Sequence, residues 1–486
     1  MPLVSYGRAF AWHAERQPER DAGVHGEVHI RFRDLDGRAN RLARDYARRG
    51  VRRGDLVTIA LPNDAAHFAA TLACWRLGAT PQPVSSRLPE RERRAIVALA
   101  RPALVVGAPD GETYEHPSLP AEFEPDASLS DAPLPDCISQ HVRCMTSGGS
   151  TGLPKLIVDL VPAQVDPEIA QNGMRAGGVT LAPGPLYHAG PFITAWQTLL
   201  SGGTVVLMSR FDPEQALELI ERHRVEWVLF VPTMMQRIWR LPEDARRRYD
   251  LSSLRRVMST GAPSPVWLKR AWIEWLGADR VFEAYGGTER SGGTLISGSE
   301  WLEHPGSVGK PTLGRKIRIL HSDGSECAPR EIGEVFMMPP GGRGSTYRYI
   351  GAEPVASGDG WETLGDMGYL DEDGYLYLVE RKSDMLLVGG ANVYPAEIEA
   401  ALDAHPAVRS SAVIGLPDDD LGSRVHAIVD AILPVTEEAL RAHLAERLVV
   451  YKIPRSFEFV SEPLRDDAGK LRRSALREAR IARDTT

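Results

Sequence analysis

Along roughly the first 310 residues, apolar positions recur at helical spacing and then close up into short β-branched runs. In "YGRAFAWHAERQPERDAGV" and "FRDLDGRANRLARDYARRGVRRGDLVTIAL" they fall three or four residues apart before a strand-like end. The alternation returns in "AAHFAATLACWRLGATPQPV", "ERRAIVALARPALVVGA", "TLLSGGTVVLM" and "EQALELIERHRVEWVLFVP". Helices interleaved with short, wholly apolar strands predict parallel sheets covered on both faces. The fold class is therefore α/β, with a large N-terminal body of layered, mostly parallel sheets. Between residues 313 and 378 the texture shifts to short strands broken by Gly, Pro and Asp, which predicts hairpins and a small β-rich subregion. After "ERKSD" the pattern predicts a compact α+β unit, built from "PAEIEAALDAHPAV", "SSAVIGL", "RVHAIVDAIL", "TEEALRAHLAERL" and "RSFEFV". The expected division is residues 1–382 and 383–486, with the boundary near Ser383.

Composition narrows the functional classes. With 43% hydrophobic and 25% charged residues among 486, there is ample apolar material for more than one core. A net charge of -8 and a pI near 6.0 argue against a nucleic-acid binder, which needs a basic surface. Four scattered cysteines without a CxxC pair point away from a disulfide framework or zinc site and fit a reducing cytoplasm. The N-terminal stretch shows no signal-peptide core, and no apolar run approaches the ~18 residues of a membrane span. A cytoplasmic location is expected.

The stretch "CMTSGGSTGLPKLI" (144–157) packs hydroxyls and glycines in front of a lysine. Glycines bare the backbone amides, and with Ser150 and Thr151 they offer a polyphosphate cradle. It is not a Walker A loop. That motif puts Gly-Lys-Ser/Thr at a helix start, whereas Leu153 and Pro154 here separate Gly152 from Lys155, and the proline disfavours helix before itself. Lys155 should instead lead a strand, "KLIV", after a hairpin-like loop. Composition alone leaves a plain surface turn equally open.

The loop resembles the phosphate-loop signature of adenylate-forming enzymes, the superfamily of acyl-CoA synthetases, peptide-synthetase adenylation domains and luciferases. Further segments follow in that family's order: "PLYHAGPF" (185–192), "STGAPSP" (259–265), "EAYGGTE" (283–289), "GSVGKP" (306–311), "TLGDMGYLDEDGYLYLVERKSDMLLVGGANVYPAEIE" (363–399) and "DDAGKLRRSALRE" (466–478). Each alone is a weak match; their joint order is specific.

The resemblance implies ATP, Mg²⁺ and coenzyme A as cofactors and substrates, a small-molecule carboxylic acid as partner, and an acyl-adenylate as intermediate. By that likeness Thr146, Ser147, Gly148, Gly149, Ser150, Thr151, Gly152 and Lys155 would hold the β- and γ-phosphates. Thr288 would meet the α-phosphate and Glu289 would bind the metal. Gly261, Ala262 and Pro263 look like the adenine shelf, with Tyr285, followed by Gly286 and Gly287, stacking on the base. Asp366 and Arg381 would contact the ribose. Lys470 resembles the mobile lysine that bridges the acid's carboxylate and the α-phosphate, although a lysine in such a loop is ordinarily a solvated charge. The family rotates its C-terminal domain to admit the thiol; Ser383 occupies the hinge position, and Gly389 and Gly390 would leave room for the pantetheine arm, unless they simply form a tight turn.

His188 matches the family's gate at the acyl end of the site, against the commoner structural role of a lone histidine. Phe192, Trp196, Phe230, Met234 and Met235 are candidates for an acid pocket, or equally for core packing. Phrases such as "GPLYHAGPF" and "GGANVYPAEIE" look most like bacterial bile-acid, steroid and related bulky-acid CoA ligases, and no carrier-protein segment follows Lys470. A polycyclic, terpenoid, steroid-like or long-chain acid is the expected substrate. One departure stands out: Arg290 directly follows Glu289. At ~4 Å a guanidinium would gain about 4 kcal/mol of attraction at an effective dielectric near 20, enough to neutralise the carboxylate, unless it points to solvent. That keeps two alternatives open, a ligase specialised for thioester formation with weak adenylation, and a degenerate nucleotide-binding protein.

Overall fold

A computed structural model describes residues 2–109, 111–112, 114–148, 154–388, 391–418, 422–466 and 469–484. Its centre is a nine-stranded sheet in the order Lys310–Pro311, Thr294–Ser297, Val281–Tyr285, Arg256–Ser259, Trp227–Phe230, Val179–Ala182, Thr204–Leu207, Asp21–His25 and Val28–Arg31. From Val281–Tyr285 across to Asp21–His25 the pairing is parallel, and antiparallel strands close both edges. Strands such as Trp227–Phe230 are buried at every position, which is why they read as unbroken apolar runs. Helix starts follow local chemistry. Asp212 accepts the amide of Gln215 and Pro213 opens the next helix; Ser297 and Glu300 form a reciprocal capping box.

A second parallel sheet, Thr80–Pro83, Leu56–Ile59, Leu104–Val106 and Ser118–Leu119, carries the early helix-strand repeats. The β-rich stretch forms an antiparallel sheet of Lys316–Leu320, Gly333–Met338, Glu362–Leu370, Val355–Ala356 and Leu376–Arg381. Beyond it, Val408–Asp418, Gly422–Ala431 and Ser456–Val460 form a three-stranded sheet packed with the Pro395–Asp403, Glu437–Ala445 and Arg473–Asp484 helices. This C-terminal unit has a core of its own, including Val393, Ile398, Leu402, Val413, Val429 and Leu444. The four cysteines are free, and no helix among the described residues is long and apolar enough to cross a membrane.

Candidate active site

Four neighbouring parallel strands end on the same edge of the central sheet, and each hands over to a segment singled out in the sequence. Val179–Ala182 leads to His188, Trp227–Phe230 to the Pro232–Trp239 helix, Arg256–Ser259 to Gly261, Ala262 and Pro263, and Val281–Tyr285 to Gly286, Gly287, Thr288 and Glu289. The crevice outside the carboxyl ends of parallel strands is where such sheets bind ligands. Segments far apart in sequence converge there because the crossovers bring their strands side by side.

The lysine of the glycine-rich stretch does lead a strand. Pro154–Asp159 pairs antiparallel with Cys144–Gly148, so Lys155 lies opposite Ser147. Its Nζ stands 3.6 Å from Oε1 of Glu289 and 4.0 Å from the ring centroid of Tyr349. Tyr349 donates its hydroxyl to the same Oε1 at 2.7 Å. Burial and the Glu289 charge push the phenol far above its ordinary range, so it stays a protonated donor. Glu289 is 6% exposed; its Oε1 takes the Tyr349 hydroxyl and faces the Lys155 ammonium. Thr146, on the neighbouring strand, has a buried hydroxyl with no hydrogen-bond partner among the described residues. Gly149, Ser150, Thr151 and Gly152 lie outside the described residues, as do Gly389 and Gly390.

Lys470 sits in a turn closed by Asp466, whose carboxylate accepts the Lys470 amide at 2.9 Å. The turn reaches over the sheet edge: a Cβ on Gly469 would meet Oγ1 of Thr233 at 2.5 Å. The Lys470 ammonium and burial together hold His188 down at about 3, with burial the larger cause, so the imidazole is neutral at physiological pH. Its Nε2 is buried without a hydrogen-bond partner among the described residues.

On the opposite flank Tyr285 donates its hydroxyl to Oδ2 of Asp366 at 2.7 Å. Asp366 stands opposite Arg381 in the Glu362–Leu370 and Leu376–Arg381 ladder, which fixes both backbones at one level. Beneath the Gly261 loop lies an ion pair the sequence reading did not single out: Lys269 to Glu283, 2.6 Å, with both side chains almost wholly buried. Glu283 also accepts the amide of Ser264 at 3.3 Å and so ties the loop to the Val281–Tyr285 strand. The first letter of "EAYGGTE" was its only signal.

Two expectations need correction. Phe192 and Trp196 pack with Trp75, Phe68 and His67 in one core; Phe230, Met234 and Met235 pack in another, where Phe230 meets Trp272. None of the five is more than 4% exposed, so they are core residues, as large apolar side chains on the inner faces of helices and strands must be. Arg290, its side chain 36% exposed, pairs with Asp159 and not with Glu289. With φ of 58° it turns back and donates to Asp159 at 3.2 Å, where Arg143 also converges at 3.3 Å.

The chain matches the AMP-binding enzyme family over residues 10–342 and the AMP-binding enzyme C-terminal domain over residues 397–470. It is 33% identical to a feruloyl-CoA synthase from Amycolatopsis sp, covering 96% of each chain. Among solved structures it resembles o-succinylbenzoate CoA synthetase from Bacillus subtilis in complex with its acyl-adenylate intermediate, at 28% identity, 98% coverage of each chain and a TM-score of 0.81. The same enzyme with ATP and magnesium ion is similar at 28% identity and a TM-score of 0.80, over 98% of this chain and 99% of that one. A full-length match, with the ordered segments gathered at one sheet edge, makes this chain a member of the AMP-binding enzyme family.

Proposed function

We propose that the protein is an ATP-dependent acid:CoA ligase working in two steps. In the first, an oxygen of the substrate carboxylate attacks the α-phosphorus of ATP and the bond to pyrophosphate breaks. In the second, the CoA thiolate attacks the acyl carbon, and AMP leaves with the electron pair of the anhydride bond. The observation that carries this reading is the Lys470 turn seated over the sheet edge beside neutral His188. That is where a developing charge between carboxylate and phosphate needs a donor.

Lys155 and the Thr146–Gly152 loop bind the β- and γ-phosphates, and Thr288 contacts the α-phosphate. Gly261, Ala262, Pro263, Gly286 and Gly287 accommodate adenine, which stacks on Tyr285. Asp366 and Arg381 take the ribose. Glu289, with its carboxylate oxygens at the Lys155 and Tyr349 cluster, would hold Mg²⁺, a hard cation that prefers oxygen ligands. When bound, the ion supplies charge neutralisation on the triphosphate. His188 contacts the acyl group through its unpartnered Nε2. Both steps are proposed, because Arg290 is occupied by Asp159 and leaves Glu289 to the metal.

Thioester formation needs Lys470 to clear the adenylate, so the C-terminal unit rotates about Ser383, bringing Gly389 and Gly390 to the thiol channel. The last backbone tie of the preceding ladder is Lys382 N–H to Gly365 O at 2.8 Å; Ser383 follows, exposed, in a turn. The substrate is a bulky acid. Likeness of the motif phrases to steroid-type ligases favours a polycyclic, terpenoid, steroid-like or long-chain skeleton. Similarity to feruloyl-CoA synthase and o-succinylbenzoate CoA synthetase brings aromatic acids into the same class. A mass-spectrometric screen for CoA thioesters across aryl, steroid, terpenoid and fatty acids, with ATP and separately with premade adenylates, tests the reading. Failure to form any thioester in either arm would overturn it.

A further inference from the structure

The Pro232–Trp239 helix faces two ways. Met234, Met235 and Ile238 go into the core. Thr233, Gln236 and Arg240, spaced three and four residues apart, form a second stripe along the helix and just past its end. All three touch the C-terminal unit. Thr233 backs against Gly469, where the backbone φ of 74° and the 2.5 Å approach leave no space for a side chain. Gln236 donates Nε2 to the carbonyl of Asp403 at 3.4 Å. Arg240 donates Nη2 to the same carbonyl at 3.1 Å and Nη1 to the carbonyl of Arg409.

Asp403 is the last residue of the Pro395–Asp403 helix. Carbonyls at a helix end lack intrahelical partners and carry partial negative charge. Arg240 therefore caps, from the N-terminal body, the end of a helix belonging to the C-terminal unit. Burial is the largest influence on the Arg240 guanidinium and disfavours its charge, Asp403 and Asp430 attract it, and Arg409 repels it. Another ion pair across the division, Arg472 to Glu92 at 3.8 Å, is exposed and of the kind that contributes little.

We infer that Arg240 is a pose-specific latch, a positioning residue that caps the Pro395–Asp403 helix only while Lys470 is over the active site. Rotation of the lid by any large angle carries both carbonyls away from the Arg240 guanidinium. The latch thus favours the first half-reaction and has no part in the second. This rests on the two-pose ligase reading, but its geometry can be tested apart from it.

In the AMP-bound protein, tryptic cleavage after Lys382, mapped by mass spectrometry, should run about tenfold faster in Arg240→Ala than in the unmodified chain, with Arg240→Lys in between. Cleavage spread along the whole chain would mean general unfolding and a merely structural role, and an unchanged hinge rate would sink the latch outright. With an acid found by the thioester screen, Arg240→Ala should lose about tenfold in ATP–pyrophosphate exchange while CoA ester formation from premade adenylate stays within twofold. Equal loss in both half-reactions would overturn the inference. If the unmodified protein turns over no acid or adenylate while the hinge cleavage still responds to Arg240, the ligase reading falls and the latch stands.

Discussion

Nζ of Lys155 stands 3.6 Å from Oε1 of Glu289, with the Tyr349 ring against the ammonium. The ion pair holds the Lys155 side chain beside Glu289 at the start of the Pro154–Asp159 strand. On the proposed reading, a phosphate chain entering there would replace the carboxylate as the partner of Lys155. Lys155→Ala should therefore raise the KM for ATP and lower ATP–pyrophosphate exchange by roughly 10²-fold, of the order seen when one charge-stabilising donor is lost. Thioester formation from premade adenylate should be spared. Steady-state kinetics of the two half-reactions check this.

Lys470→Ala should cripple adenylation by about 10²–10³-fold, because a single preorganised donor is worth roughly 3 to 4 kcal/mol in the transition state. The second half-reaction should persist. Equal loss in both would contradict the role assigned to the turn beside His188.

The Lys269–Glu283 pair is almost sealed from water. Removing one partner leaves a buried charge uncompensated, so Glu283→Gln should cost about 3–5 kcal/mol, measured by urea unfolding. The double change Lys269→Met, Glu283→Leu should recover most of that loss. It should not recover nucleotide binding, since Ser264 loses its acceptor and the Gly261 loop loses its tie.

His67 predicts part of the acid limb of stability. Burial lowers it from 6.5 to about 4, and neither ring nitrogen has a hydrogen-bond partner among the described residues. Above pH 6.5 it is neutral folded and unfolded, so it contributes no pH dependence. Between pH 6.5 and 4 the unfolded chain takes up a proton the folded chain refuses, and stability falls as pH drops, by on the order of 3 kcal/mol across the window. His67→Phe should flatten unfolding free energy against pH over that range. An unchanged slope would show that the imidazole is not the group responsible.

Asp159 receives both Arg143 and Arg290. Asp159→Asn should strand the wholly buried Arg143 and cost about 3–5 kcal/mol of unfolding free energy. Released from Asp159, Arg290 becomes able to reach Glu289, so ATP–pyrophosphate exchange should fall more than thioester formation from premade adenylate. Arg290→Ala in the same background should restore the exchange.

Much of this protein was determined by local sequence. Helix-strand alternation gave the parallel sheets, because strands buried on both faces must be apolar throughout, and Trp227–Phe230 is an instance. Pro154 kept Lys155 out of a helix and put it at the start of a strand. The ordered motifs identified the loops that gather at the sheet edge. Tertiary structure decided what lies opposite what. Phe192, Trp196, Phe230, Met234 and Met235 had the chemistry of a pocket and became core, because burial depends on neighbours supplied by distant segments. Arg290 sits next to Glu289 in the chain, yet a left-handed backbone turns it to Asp159. Tyr349, Lys269 and Arg240 gained their importance from partners between 14 and 169 positions away. Spacing along a chain fixes which face a side chain takes, while the partner on that face is fixed only when strands and helices pack.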